Sequence, residues 1–286
     1  MAPCPLSVII LTYNEEINLP GALDSITNWA EHVFVVDSFS TDATLEIATN
    51  YRIPIYQNAW VDWATQRNWA LTNLPLKNEW VLFLDADERV TRELAEEIRR
   101  VLTKLPRDVN GFYIRRKFIF LRKWLKHGGF HPNWVLRLVK KDYTTILPAG
   151  DSEYFVVKGK TSRLSSFMMH EHANELSFFV NKHNKISELA ARKLLTDIKI
   201  LSNEDKKNTE VEGKWRIWLK ENILFRFPLF LRPFFLFTYR YLWRLGCLDG
   251  IEGLIYYFLH DFWYPFLIDA KAFEIKMKRG SQESLK

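Results

Sequence analysis

Trp80-Val81-Leu82-Phe83-Leu84-Asp85-Ala86-Asp87-Glu88 changes character between its fifth and sixth residues. Five successive apolar positions suit a strand covered on both faces, which is the pattern of a parallel sheet. The acids that follow fall on a turn, where two carboxylates one residue apart can point into the same site. Three shorter runs upstream repeat the strand pattern: Ser7 to Tyr13, His32 to Asp37, and Ile53 to Gln57. Helices fit between them. The first runs from about Leu19 to Trp29, with Pro20 near its start, where a missing N–H is harmless. The second is capped by Ser40-Thr41-Asp42 and reaches Tyr51; the third spans Trp60 to Leu74. Downstream of the quoted stretch, Thr91 caps a helix to about Thr103, and Gly111 to Phe120 reads as a further strand.

Alternating strands and helices imply an α/β fold, a mostly parallel sheet with helices on both faces. Ligands of such sheets bind beyond the carboxyl ends of the strands. Thr12-Tyr13-Asn14-Glu15, Asp37-Ser38 and Asp85-Ala86-Asp87 should therefore meet at one rim. Oxygen ligands of this type suit Mg²⁺ or Mn²⁺, which usually also hold a substrate diphosphate. Asp37 is a candidate acceptor for a nucleotide base or ribose, or a helix-cap partner. Gln66-Arg67-Asn68 precedes the acidic strand, and Arg67 either stays a surface charge or pairs with a diphosphate. No Gly-x-Gly-x-x-Gly and no Gly-rich phosphate loop follows the first strand, which argues against dinucleotide oxidoreductases and nucleotidyltransferases.

The chain has 286 residues, 48% of them hydrophobic and 26% charged, which are globular values. Its net charge of +6 is localised. Lys214 to Arg244 holds seven basic residues against one acid, Glu221, so that segment accounts for the whole excess. It also carries 11 of the 43 aromatics, and a second aromatic run spans Ile255 to Ile268. Pro228 and Pro233 should break any continuous helix there. Beyond Pro233, Arg240 and Arg244 are expected as i, i+4 neighbours on a basic strip. Basic residues with Trp and Phe fit a membrane interface attracted to anionic lipid. Phe234-Phe235-Leu236-Phe237 is too apolar for a nucleic-acid surface. No apolar run reaches 18 residues, so a simple spanning helix is not expected. Two cysteines and no basic n-region after Met1 lead us to expect a reduced compartment and no secretory signal. Between the two halves, Gly128 to Leu138 reads as loop and then strand, Asn174 to Leu201 as helix, and Asn203 to Glu212 as a polar link.

Val8-Ile9-Ile10-Leu11-Thr12-Tyr13-Asn14-Glu15-Glu16, Val35-Val36-Asp37-Ser38-Phe39-Ser40-Thr41-Asp42-Ala43-Thr44, Gln66-Arg67-Asn68 and Leu84-Asp85-Ala86-Asp87-Glu88 together resemble the family 2 glycosyltransferases of GT-A fold. Phe120-Leu121-Arg122, His127-Gly128-Gly129-Phe130-His131-Pro132, Arg137-Leu138 and Arg244-Leu245-Gly246-Cys247-Leu248-Asp249-Gly250 resemble a narrower group, the lipopolysaccharide-core β-1,4-glucosyltransferases. The resemblance implies inverting transfer of a hexose from a nucleotide diphosphate sugar, with UDP-glucose favoured, to a cell-surface glycan or lipid-linked saccharide. A polyprenyl-phosphate hexose synthase, or a silent sugar-nucleotide-binding protein docked on the membrane, is the alternative. Thr12, Tyr13, Glu15, Asp37, Ser38, Gln66, Arg67, Ala86 and Arg137 would line the donor site. Asp87, with Asp85, would hold the divalent cation. Ala149-Gly150-Asp151-Ser152-Glu153 occupies the place of the group's His-Glu pair, with Ser152 where the His is expected. Glu153 is then the candidate general base and Asp151 the alternative. His127, His131, Trp134 and Arg137 fall in the acceptor region, where Trp134 could stack on a sugar. His170 of His170-Glu171-His172 is a candidate extra metal ligand. The expected organisation is a GT-A domain over residues 1–170, its nucleotide-sugar half about 6–103 and its acceptor half about 104–170. A helical membrane-associating region follows over 171–286. The expected location is the cytoplasmic face of the inner membrane, bound peripherally, with no nucleic-acid partner.

Overall fold

The computed structural model describes residues 3–104, 108–129, 131–149, 152–171, 176–195 and 228–283. The first half alternates as expected: β1 (Cys4–Thr12), α1 (Leu19–Asp24), β2 (Ala30–Asp37), α2 (Thr44–Asn50), β3 (Ile55–Gln57), α3 (Trp63–Asn73), β4 (Trp80–Asp85) and α4 (Arg92–Thr103). A short strand, β5 (Glu88–Val90), lies between β4 and α4. Then come β6 (Val109–Phe120), β7 (Lys123–Trp124), β8 (Asn133–Lys140), β9 (Thr144–Ala149), β10 (Ser152–Val157) and β11 (Lys160–Glu171).

Side-chain alternation decides which helices cover which face of the sheet. Val8, Ile10, Val35, Leu82 and Leu84 point to one face, where Leu19, Leu23, Leu94 and Ile98 of α1 and α4 meet them. Ile9, Leu11, Val36, Val81 and Phe83 point to the other, against Ala64 and Ala70 of α3. Burial on both faces explains why these strands read as continuous apolar runs.

The sheet order is β3-β2-β1-β4-β8-β6-β11-β5, with β7 paired to β6. Strands β1 to β4 pair in parallel. β8 is antiparallel to both of its neighbours, β4 and β6, so the sheet is mixed, although the half formed by β3, β2, β1 and β4 is parallel. β11 runs parallel to β6 and antiparallel to β5.

Helix starts are partly as predicted. Thr91 caps α4, accepting from Leu94 N at 3.2 Å. α3 starts three residues later than predicted because Asp62 caps it, accepting from Thr65 N. α2 starts behind Ala43, and Asp42 Oδ1 accepts from Thr44 N at 3.0 Å.

The chain divides into two compact units. The first comprises Met1–Trp124, His131–Pro148 and Glu153–Ala173 and contains the sheet. The second comprises Leu125–Phe130, Ala149–Ser152 and Asn174–Lys286. It holds α5 (Leu176–Leu194), α6 (Leu231–Thr238), α7 (Gly250–Tyr257) and α8 (Tyr264–Glu283). π turns at Tyr239–Trp243 and Phe258–Trp263 extend α6 and α7.

Pro233 does not break the helix as expected. It occupies the first turn of α6, where its absent N–H has no intrahelical partner to lose. Arg240 and Arg244 are not on one basic strip either. The π turn bonds Arg244 N to Tyr239 O at 2.8 Å, and Arg240 turns to Asp261 at 3.1 Å. Arg232 is buried in an ion pair with Asp269. Among the described residues, no helix is long and apolar enough to cross a membrane. Residues 214–226 of the basic-aromatic segment, and the polar link 203–212, lie outside the described residues.

Candidate active site

The register of the parallel strands brings the polar strand ends to one edge. Thr12 lies opposite Asp37, and Leu11 opposite Asp85. Asp37 is fully buried and bound to its own loops. It accepts from Thr12 Oγ1 at 2.9 Å, Ser40 N at 2.8 Å and Gln57 Nε2 at 3.4 Å. Asn14 Oδ1 accepts from Thr41 N at 2.8 Å, and Thr44 Oγ1 accepts from Glu15 N at 2.8 Å. The loops after β1 and β2 are thus laced into one wall. Gln66, also buried, donates to Ser38 Oγ at 3.1 Å and accepts from Asn58 Nδ2 at 2.7 Å. Tyr13 projects from this wall with 59% of its surface exposed, and Glu15 accepts from Asn18 Nδ2 at 2.7 Å.

Beneath the rim lies a cluster of charges. Arg67, 1% exposed on α3, donates to Asp85 Oδ1 at 2.5 Å and to Glu153 Oε1 at 2.9 Å. Arg137 on β8 donates to Asp85 Oδ2 at 2.6 Å and to the same Glu153 oxygen at 2.9 Å. Glu88 completes the set, accepting from Arg116 Nη1 at 3.1 Å and lying 3.9 Å from Arg137. Three guanidiniums therefore balance three carboxylates. The ring of Phe155 flanks both Arg67 and Arg137, with centroids 5.7 and 5.6 Å from their guanidinium carbons.

Burial by itself would raise the Asp85 carboxyl pKa. The charges of Arg137 and then Arg67 outweigh burial and hold it well below the ordinary carboxylate value. Burial likewise opposes the charge on Arg137, yet Asp85, Glu88 and Glu153 raise its pKa above the usual arginine value.

The two aspartates of the acidic turn have different partners. Asp85 has both oxygens engaged by guanidiniums, whereas Asp87 Oδ2 lies 3.3 Å from His170 Nε2 on β11. The antiparallel register of β5 and β11, with His170 opposite Glu88, brings that imidazole to the turn. Among the described residues, no three His, Cys, Asp or Glu side chains gather into a metal-holding group. Asp87 and His170 are one carboxylate and one imidazole. A cation held there would take its remaining ligands from substrate oxygens and water.

Residues 7–159 match the sequence profile of Glycosyl transferase family 2. This chain belongs to glycosyl transferase family 2. An uncharacterized glycosyltransferase of Rickettsia prowazekii is 30% identical over 208 residues, covering 69% of this chain and 70% of the relative. The lipopolysaccharide core biosynthesis glycosyltransferase LpsC of Rhizobium meliloti is 28% identical over 280 residues, covering 89% and 90% of the two chains. The solved mannosyltransferase PcManGT from Pyrobaculum calidifontis, in complex with GDP-Man and Mn²⁺, aligns over 95% of this chain and 88% of that one. Its TM-score is 0.48 at 15% identity. The protein is a glycosyltransferase with a mixed, half-parallel sheet and a helical, aromatic-rich C-terminal region.

In this family 2 enzyme, Thr12, Asp37, Ser38, Gln66, Arg67, Asp85, Ala86, Asp87, Arg137 and Glu153 all belong to the sheet-containing unit. Ala86 is buried, and its carbonyl accepts from Arg89 Nη1 at 2.8 Å. Trp134, considered as a sugar platform, has the guanidiniums of Arg115 and Arg163 at 5.5 and 5.1 Å from its ring centre. The ring of His131 packs against Trp124 at 5.3 Å. His127 falls in the helical unit, where its Nδ1 lies 2.7 Å from Asp249 Oδ1. Asp151 and His172 lie outside the described residues. Sequence reasoning missed Glu88 and Arg116 as members of the charged cluster. Glu88 was quoted only as a neighbour of the two aspartates, and nothing local links Arg116 to it.

Proposed function

We propose that this glycosyltransferase moves a hexose, with inversion, from a nucleotide diphosphate sugar to a cell-surface glycan or lipid-linked saccharide. UDP-glucose is the donor to try first, on the resemblance to the lipopolysaccharide-core glucosyltransferases. Similarity to LpsC over most of both chains supports a cell-surface acceptor. The observation that carries the catalytic reading is the Asp87–His170 pair at the carboxyl end of the parallel strands, beside an Asp85 held by two arginines.

Asp87 and His170 would hold a divalent cation, Mg²⁺ or Mn²⁺, together with the donor diphosphate. When bound, that ion would stabilise the leaving nucleoside diphosphate as a Lewis acid. Tyr13, with Thr12, Glu15, Asp37 and Ser38 behind it, forms the nucleotide wall. Arg67 and Arg137 keep Asp85 ionised and fix the turn that carries Asp87. Glu153 Oε2 is buried without a hydrogen-bond partner, while its other oxygen takes both guanidiniums. In this reading Oε2 would accept the proton of the acceptor hydroxyl, as inversion requires. Asp151 is the alternative base. Residues 1–170 would supply these functions. Residues 171–286 would keep the enzyme on the cytoplasmic face of the inner membrane, through anionic lipid.

The test is donor hydrolysis or transfer measured against Mn²⁺ concentration. Asp87→Ala should abolish the metal-stimulated rate, and unchanged turnover would overturn the assignment. His170→Ala should raise the Mn²⁺ needed for half-activation by about 10-fold or more. Glu153→Gln should lower kcat with the donor KM little changed; full activity would move the base role to Asp151.

A further inference from the structure

Fourteen of the 23 large apolar side chains that stand exposed among the described residues lie between Leu231 and Met277. Such crowding on about a sixth of the chain marks an interaction surface rather than scattered surface residues. Its densest part is the connection from the first π turn to α7. Leu242, Trp243, Leu245, Leu248 and Ile251 are 57, 82, 52, 61 and 63% exposed. They occur within ten residues, on a tightly folded backbone. Arg244 N bonds to Tyr239 O, Leu245 N to Leu242 O at 3.1 Å, and Leu248 N to Leu245 O at 3.0 Å. Leu245 itself has φ of 59°, a conformation that a Leu adopts only when its surroundings impose it.

The polarity of this turn is inverted relative to a turn facing water. Its inner side is polar. Asp249, 3% exposed, accepts from Lys126 N and His127 N at 3.0 Å each and from Tyr257 Oη at 2.9 Å. Its outer side is leucine, tryptophan and isoleucine, with Arg244 exposed among them. Two further aspartates of the unit are sorted the same way, although Glu274 is exposed and pairs with Lys278. Asp261 and Asp269 are buried against Arg240 and Arg232, whereas Arg244, Lys276 and Lys278 reach the surface.

We infer that Leu242 to Ile251 is the edge by which the protein enters an anionic lipid surface, with Trp243 and the flanking leucines below the headgroups and Arg244 among the phosphates. An apolar edge with a cation at its centre and its acids turned inward matches a bilayer that is apolar inside and negative at its boundary. A second copy of the chain would bring the same cations to both sides of the contact. The inference rests on the proposed membrane location and names the element that does the docking.

Cys247 is exposed on this turn and Cys4 is buried, so a maleimide dye sensitive to polarity reports on the edge. The full-length labelled protein is mixed with phosphatidylcholine vesicles, with or without phosphatidylglycerol, and floated. The dye should shift to the blue only with the anionic vesicles, together with flotation. Trp243→Ser with Leu245→Ser should lower the floating fraction at limiting lipid by about 10-fold, with circular dichroism unchanged. Flotation with an unshifted dye would overturn the docking edge and leave the membrane location standing. Absence of flotation would overturn both. A blue shift without vesicles that grows with protein concentration would assign the edge to a second copy and overturn the inference.

Discussion

Replacing Arg137 with methionine tests whether the charged cluster is a balanced unit. The substitution removes the 2.6 Å bond to Asp85 and the 2.9 Å bond to Glu153. Methionine keeps an apolar stem near Phe155, so packing changes little while charge changes by one. Two guanidiniums then face three carboxylates in a buried setting. Hydrogen bonds to charged groups contribute about 1.5–3 kcal/mol each, so two of them amount to about 3–6 kcal/mol. Orphaning one partner of a buried ion pair costs about 3–5 kcal/mol by independent measure. The expected loss is therefore about 4 kcal/mol, a large share of the ~5–15 kcal/mol that holds a typical domain. Urea unfolding followed by tryptophan fluorescence measures it, with the slope compared between variants. The decisive comparison is the double variant, Arg137→Met with Glu153→Gln. It removes one charge of each sign and should be more stable than Arg137→Met by about 1.5 kcal/mol or more. Arg137→Lys, which keeps the charge but loses the two-pronged geometry, should fall between. A loss below about 1 kcal/mol for Arg137→Met, or a double variant no more stable than the single, would refute the balanced-cluster argument.

Asp249→Asn should destabilise the helical unit by about 2 kcal/mol at neutral pH, because four donors converge on this carboxylate. Burial raises the Asp249 pKa, but the bonds from His127, the two backbone N–H groups and Tyr257 lower it below the ordinary value. Its stabilisation is then complete above the unfolded pKa near ~4 and fades as pH falls through the folded value. Thermal melts should accordingly show the gap between wild type and variant closing in acid. Thr91→Ala should cost about 1 kcal/mol in urea, since it uncaps α4 and also removes the 3.0 Å bond to Phe167 O; no change would mean that the cap is dispensable. Gly128→Ala should lower the melting temperature more than Gly129→Ala. Both have positive φ, but a Cβ at 128 would lie 2.4 Å from the Tyr257 ring, whereas at 129 the nearest atom is 3.7 Å away. Equal losses would show that backbone strain alone decides.

The legible part of this protein was the part whose signals are local. β4 begins where its apolar run does and ends one residue beyond it, at Asp85, and Thr91 caps α4 as its spacing indicates. β5, β7 and β9 were not anticipated, and β10 and β11 only as extended stretches around Glu153 and His170. They are short or mix polar and apolar residues; β5 and β11 owe their strand character to partners far along the chain, and β9 and β10 pair with each other. His170 was singled out from its spacing with His172, yet its position beside Asp87 depends on β11 pairing with β5. The basic tail was legible as a charge excess and not as a surface. Arg232 and Arg240 turn inward to aspartates supplied by α8 and by the π turn before it.

By itself, the sequence determined the family, the parallel half-sheet, and that Thr12, Asp37 and Asp85 end their strands on one rim. Strands that run parallel all present their carboxyl ends at the same edge of the sheet. Only the tertiary structure decided what those residues face. Asp85 meets Arg67, 18 residues before it, and Arg137, 52 residues after it, because β8 inserts beside β4. Asp87 meets His170 instead. Strand character is written in a few neighbouring residues, but the pairing of buried charges follows the order of strands across the sheet.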